Sequence, residues 1–261
     1  MNAWLTLLYK EYRMIRTSIL VQLGVVIIGG LWVVYLSQRY HPGLIMAPVS
    51  LLLFIALFYP ALFMLKNVSR ELKHTPDLWL HCPQPAWMLL SAKLVMVLAY
   101  TIVVLLLIAI FVYWVLFSSS LPELTGIAAG TMASFITRAG AYLALFVFAA
   151  GIYLASWATL LAVVSAAARQ ILGRFHWLAA LAVFFAATWG LGRLQATRLY
   201  EKATHWGALD FALQPFKDQM LSGHIHIAHS RIYAGEILFY LALTAALFAL
   251  SAWLVNNSVE V

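Results

Sequence analysis

The stretch Leu94–Phe117, LVMVLAYTIVVLLLIAIFVYWVLF, runs for 24 residues without a charged side chain. A helix rises about 1.5 Å per residue, so this stretch is roughly 36 Å long and crosses a hydrocarbon core of about 30 Å. Five further segments read the same way on either side of it: Ser18–Ser37, Leu44–Leu65, Ala141–Ser165, Trp177–Gly192 and Ile237–Val255. The fifth in chain order, Trp177–Gly192, is short and needs Arg174 and Arg193 to snorkel at its ends or the bilayer to thin. The whole chain is 64% apolar and 10% charged over 261 residues. Soluble domains carry about 25% charged residues, and a soluble fold of this size could not hide so much apolar surface. The expected fold class is all-α: a polytopic membrane protein of about six transmembrane helices forming a single transmembrane domain, with lipid bilayer as its solvent.

The formal charge of +7 is not read as a nucleic-acid footprint, because basic residues flanking spans serve orientation first. With the amino terminus inside, the inner face holds Lys10, Arg13, Arg16, Lys66, Arg70, Lys73, Lys93, Arg169 and Arg174. The two short outer loops hold only Arg39 and Arg138. The long last outer loop adds Arg193, Arg198, Lys202, Lys217 and Arg231. Long loops count for little in this rule, so nine against two favours the amino terminus inside, and six spans return the carboxyl terminus to the same side. The expected location is the inner or plasma membrane, multi-pass, with both termini cytoplasmic. The first apolar run is too long for a signal-peptide core and ends in Gln38-Arg39-Tyr40-His41-Pro42, which does not resemble a cleavage site.

Two segments flank spans without fitting the hydrophobic pattern. In residues 1–17, Leu5, Leu8, Tyr12, Ile15 and Ile19 recur at helical spacing, opposite Thr6, Lys10, Arg13 and Thr17. This pattern suits an amphipathic helix lying in the cytoplasmic interface, or the flank of the first span. Leu121–Gly140 is apolar but carries Pro122, Glu123 and Arg138. It reads as an interfacial or re-entrant lead-in to the fourth span, with a seventh crossing as the rival.

Several absences bear on chemistry. No G-x-x-x-x-G-K-[ST] phosphate loop occurs, and neither H-E-x-x-H nor G-x-S-x-G is present. Span interiors hold essentially no Asp, Glu, Lys or Arg, so the ionic relay of a proton- or sodium-coupled carrier is not visible. One cysteine, Cys82, excludes an intrachain disulfide or a thiolate metal cluster. The expectation is therefore a non-enzyme with no catalytic, cofactor-binding or metal-binding residues of its own, driven by energy supplied from outside the chain or passive. A stand-alone secondary transporter or channel is the alternative.

The loop 66–93, KNVSRELKHTPDLWLHCPQPAWMLLSAK, is the most informative connection. Thr75-Pro76 is a helix-start signal, and Asp77 favours the same helix N-terminus. Leu78, Trp79 and Leu80 give that short helix apolar surface, Pro83 ends it, and Pro85 starts the third span. Two uses fit: a helix projecting for a partner to grip, or an ordinary loop whose Trp rests on lipid.

The layout resembles the permeases of ABC-2-type exporters. The resemblance is carried by the amphipathic start with Lys10-Glu11, by the six-span plan, by the loop from Arg70-Glu71 through Leu80, Pro83 and Lys93, and by the long outer segment before the last span. It implies that the stretch Ser69–Cys82 is a coupling helix docking on a cytoplasmic ATP-binding-cassette ATPase subunit, with Arg70, Glu71, Thr75, Asp77, Leu78, Trp79 and Leu80 as docking residues. It further implies that ATP is bound by that partner rather than by this chain, and that a second permease chain, identical or homologous, completes the transporter. Where the family often has Gly-Thr soon after its Glu, Glu71 is followed here by His74-Thr75, with no glycine.

The outer loop 194–233 contains His205 and the cluster His224, His226 and His229. Histidine ligates metals and senses pH, but the i, i+2, i+5 spacing gathers three imidazoles only in a suitable turn or strand. A polar loop lying partly on the membrane, with Trp206, Phe211 and Phe216 at the interface, is the preferred account of the composition. Trp32, Tyr35, Tyr113, Trp114, Trp177 and Trp253 near span ends read as an aromatic belt.

Overall fold

The computed structural model describes residues 3–39, 46–74, 84–118, 129–209 and 232–258. Seven α-helices occupy these segments: α1 (Ala3–Arg39), α2 (Met46–His74), α3 (Ala86–Ser118), α4 (Ala129–Leu172), α5 (His176–Gln195), α6 (Arg198–Thr204) and α7 (Ala234–Ser258). A 3-10 turn, Gly173–Phe175, joins α4 to α5, and the two-residue strands β1 (Ala208–Leu209) and β2 (Ile232–Tyr233) pair antiparallel. All helices but α6 are long and apolar enough to cross a membrane. Trp32, Phe54, Phe117, Phe146, Phe185 and Trp253 are each more than half exposed. Side chains of this size, outward on every spanning helix in turn, are soluble only in lipid. The chain is an all-α polytopic membrane protein.

Helix ends depart from the hydrophobic limits in a consistent direction. Residues 66–74, expected in a loop, continue α2 to His74. Ser69-Arg70-Glu71-Leu72-Lys73 contains good helix formers and no breaker, so the helix runs on at least as far as His74, and Thr75 and the residues after it lie outside the described residues. At the other side of the loop, α3 begins directly after Pro85, whose carbonyl accepts from Met88 N at 2.9 Å. Lys93 therefore lies within α3, as a third span started by Pro85 requires. The amino-terminal segment joins the first span as one unbroken helix. Of the supposed lead-in Leu121–Gly140, residues 129–140 are the start of α4, and 121–128 fall outside the described residues. At 44 residues, α4 is about 66 Å long and extends well beyond the bilayer core.

Two compact units divide these helices. The first comprises Met1–Pro60 and Ala92–Ile152. In it α1 buries one stripe, Leu7, Glu11, Ile15, Val26 and Val34, at multiples of about one helical turn. The face differs from the pattern expected, for Leu5 and Tyr12 are half exposed. Val26 packs with Ala56, Tyr100, Val104, Ile108 and Val147, and farther along Val34 packs with Phe111 and Val115. Gly30 allows the second contact, because a Cβ there would collide with the Phe111 ring.

The second unit comprises Ala61–Ser91 and Tyr153–Val261. Its core joins Trp157 and Leu160 of α4 to Leu247 of α7, and edge-to-face rings run from Tyr153 through Trp157 to Phe184. The short α6 is capped by Thr197, whose Oγ1 accepts from Tyr200 N. It lies against α7 through the Tyr200–Phe239 ring pair, 5.0 Å between centroids. Gly235 sits hard against the Thr204 backbone, leaving no room for a side chain.

Candidate functional site

Charged side chains are scarce in this chain, so the place where two of them are buried together stands out. In the first unit Lys93 Nζ donates to Glu11 Oε1 at 2.6 Å, with the two side chains 1% and 6% exposed. Glu11 reaches this position because it shares the inward stripe of α1 with Leu7 and Ile15, one turn to either side. Lys93 lies on the buried stripe of α3 with Leu90 and Val97. Lys10, Arg13 and Arg16, the neighbours of Glu11, are all exposed.

Lys93 lies within the candidate span Ala86–Phe117, directly ahead of its uncharged run Leu94–Phe117, at a boundary between polar and apolar sequence. Glu11 precedes the first candidate span, which begins at Ile19, by eight residues, or about 12 Å. An ion pair at such a boundary keeps both charges matched while the surrounding helices stay apolar. Removing two charges from water costs several kcal/mol per ion before their attraction is counted. The arrangement is therefore better suited to fixing one helix in register against another than to adding stability.

The other sequence-predicted residues divide sharply. Arg70 is exposed and Glu71 half-buried on the last turns of α2, where Leu72 faces inward. Both stand on a rigid helix rather than a loop. Thr75, Asp77, Leu78, Trp79 and Leu80 lie outside the described residues, as do His224, His226 and His229. His205 has local partners: its Nδ1 is 2.9 Å from the Glu201 carbonyl, and its ring meets Tyr233 edge-on.

A shallow groove of about 480 Å³ runs between α5, α6 and α7, with Arg193 at one end and Leu199, Tyr200 and Phe239 along it. The Arg193 guanidinium lies 5.1 Å from the Trp189 ring centroid, as expected of a basic residue at a span end. Burial raises the Tyr200 hydroxyl above its ordinary pKa, with Tyr240 and Glu236 adding to the shift, so Tyr200 stays protonated at neutral pH.

Two features escaped sequence reasoning. One is the meeting of Glu11 with Lys93, 82 residues apart; its only local signal is the lone carboxylate on the inward stripe of the first helix. The other is a polar group within the first span, Gln22, the sole amide or charged side chain between Ser18 and Ser37. Comparison with family models, curated proteins and solved structures returns no match.

Proposed function

We propose that this chain is the membrane-spanning subunit of an ATP-driven exporter of the ABC-2 type, moving its cargo with energy from a separate cytoplasmic ATP-binding-cassette ATPase. The observation that carries this is the buried Glu11–Lys93 pair at the root of the loop between α2 and α3. Two of the features behind the resemblance, the Lys10-Glu11 start and Lys93, meet in it. The connecting residues 75–85 are flanked by helices that continue unbroken into their spans. A partner pushing on such a loop moves α2 and α3 directly, and the ion pair carries the motion of α3 to α1. Without an ATP site of its own, the chain binds no cofactor and is not an enzyme. A second permease chain, identical or homologous, pairs with it. The spanning part of α5, which buries none of its side chains, leaves surface for that partner.

The deciding experiment is purification from native membranes in mild detergent. An ATP-binding-cassette subunit is expected to co-purify, and ATP turnover is expected from the complex but not from the isolated chain above a detergent blank. Turnover by the isolated chain, or a chain that purifies without any ATPase yet transports, overturns the proposal. A channel or secondary carrier then takes its place.

Orientation is tested separately. The proposed location is the inner or plasma membrane, with both termini cytoplasmic. In a Cys82→Ser background, cysteines at Lys10, Lys73 and Arg169 should resist an impermeant thiol reagent added outside. Cysteines at His41 and His226 should react. Outside labelling at Lys73 would place the loop on the wrong side for a cytoplasmic ATPase.

A further inference from the structure

The groove between α5, α6 and α7 belongs to the second unit and lies where two spans end. Arg193 is two residues from the end of the candidate span Gly173–Gln195, and Phe239 is five residues into Ala234–Asn257. After the turn at Ala196 and Thr197, α6 packs Tyr200 against Phe239, so the short helix stays beside the start of α7. The groove's volume, about 480 Å³, is in the range of small-ligand sites, about 300–1,000 Å³.

Two chemistries meet in it. Leu194, Leu199, Ala203 and Phe239 give it an apolar wall. Leu199 is 80% exposed, more than any other large apolar side chain among the described residues. Such a wall needs an apolar cover. Beside it stands a cation without a counter-ion. Arg193 rests on the Trp189 ring, and among the described residues the only ion pair joins Lys93 to Glu11. Arg198 and Lys202 are exposed on α6 next to one acid, Glu201, and Glu236 on α7 acts on Tyr200. Three bases against two acids leave the site with one positive charge. A guanidinium holds a phosphate through two parallel N–H···O bonds, and one already resting on an aromatic ring has less freedom to lose in doing so.

We infer that this groove binds one phospholipid of the surrounding bilayer, its phosphate on Arg193 and an acyl chain along Leu199, Ala203 and Phe239. The net positive charge selects an anionic headgroup over a zwitterionic one, because each basic residue near a membrane surface attracts anionic lipid. The site depends neither on which side of the membrane α6 faces nor on an ATPase partner, so it stands or falls independently of the exporter proposal.

The test is native mass spectrometry of the full chain in detergent, titrated with phosphatidylglycerol or with phosphatidylcholine of identical acyl chains. The wild-type chain should retain one phosphatidylglycerol about fivefold more tightly than phosphatidylcholine, the preference expected of one basic residue near the surface. Arg193→Gln should remove that preference, whereas Lys10→Gln, at an exposed position on α1, should keep it. Leu199→Asn, neutral and at an exposed position, should weaken retention of both lipids without altering the elution profile. Inorganic phosphate in large excess should leave the lipid bound. Equal retention of the two lipids by the wild-type chain overturns the inference, as does a preference that survives Arg193→Gln or wild-type retention in Leu199→Asn. Displacement by inorganic phosphate would make the ligand a free anion, and loss of a chain dimer in Leu199→Asn would make the groove an interface between copies. Either result overturns the lipid assignment.

Discussion

Lys93→Ala is expected to destabilise the protein by about 3–5 kcal/mol, the largest effect of any single substitution considered for this chain. The Glu11 carboxylate is nearly inaccessible, and its bond to Lys93 Nζ is short at 2.6 Å. Truncating the lysine leaves a buried charge without its counter-ion, and breaking a buried pair from one side costs that much. Glu11→Ala should be damaging for the mirror reason. The double replacement Glu11→Leu with Lys93→Met removes both charges and keeps the volume, so it should restore stability to near or above the wild-type level. Thermal melts of the four proteins in one detergent measure the coupling directly. Single variants as stable as the wild type would mean that the two charges are solvated and do not constrain α1 against α3. A damaged double variant would mean that packing, not charge, dominates at this point.

The six spans were legible because hydrocarbon thickness imposes a length and an apolarity that few other structures need. All six segments read from the sequence lie on helices long and apolar enough to cross. Their ends were less legible. Lys66 and Arg70 look like the end of a span on hydropathy grounds, yet the backbone continues helical to His74 because Ser69–Lys73 contains no breaker. Hydropathy reports where lipid ends, whereas helices end where proline or glycine ends them. The ion pair depends on which faces of α1 and α3 meet, and that is a tertiary fact. On periodicity alone, Glu11 sat between an apolar stripe and a basic one. The placement of Leu7 and Ile15 against the bundle selected the stripe containing Glu11. Gln22 was visible as a lone amide in an apolar span, but its hydrogen bond to Tyr59 needed α2 in place.

If the proposed function holds, Trp79→Ala is expected to weaken capture of the proposed ATPase subunit by roughly thirtyfold while leaving membrane insertion and the melt of the isolated chain unchanged. The case for it combines sequence with the helices flanking the loop. Leu78, Trp79 and Leu80 are three apolar residues in a connection between charged flanks, and they follow the helix-start signal Thr75-Pro76. Aromatic anchors commonly dominate interface energies, with truncation costing about 2 kcal/mol or more, and that loss corresponds to the thirtyfold figure. No span is touched, so insertion has no reason to fail. Glu71→Ala should behave differently. Glu71 is half-buried on the last turns of α2, a helix that runs on into its span, so it belongs to the lever rather than the grip. Its loss should leave the ATPase bound but lower export per ATP hydrolysed. The two variants therefore separate seating from transmission, and the paired measurement is ATPase recovery on pull-down alongside the ratio of transport to turnover. Wild-type values for both variants on both measurements would make the loop an ordinary membrane-facing turn and remove the docking argument for an exporter subunit. Loss of the partner in Trp79→Ala together with loss of coupling alone in Glu71→Ala is the pattern that a docked loop, held between two unbroken helices, requires.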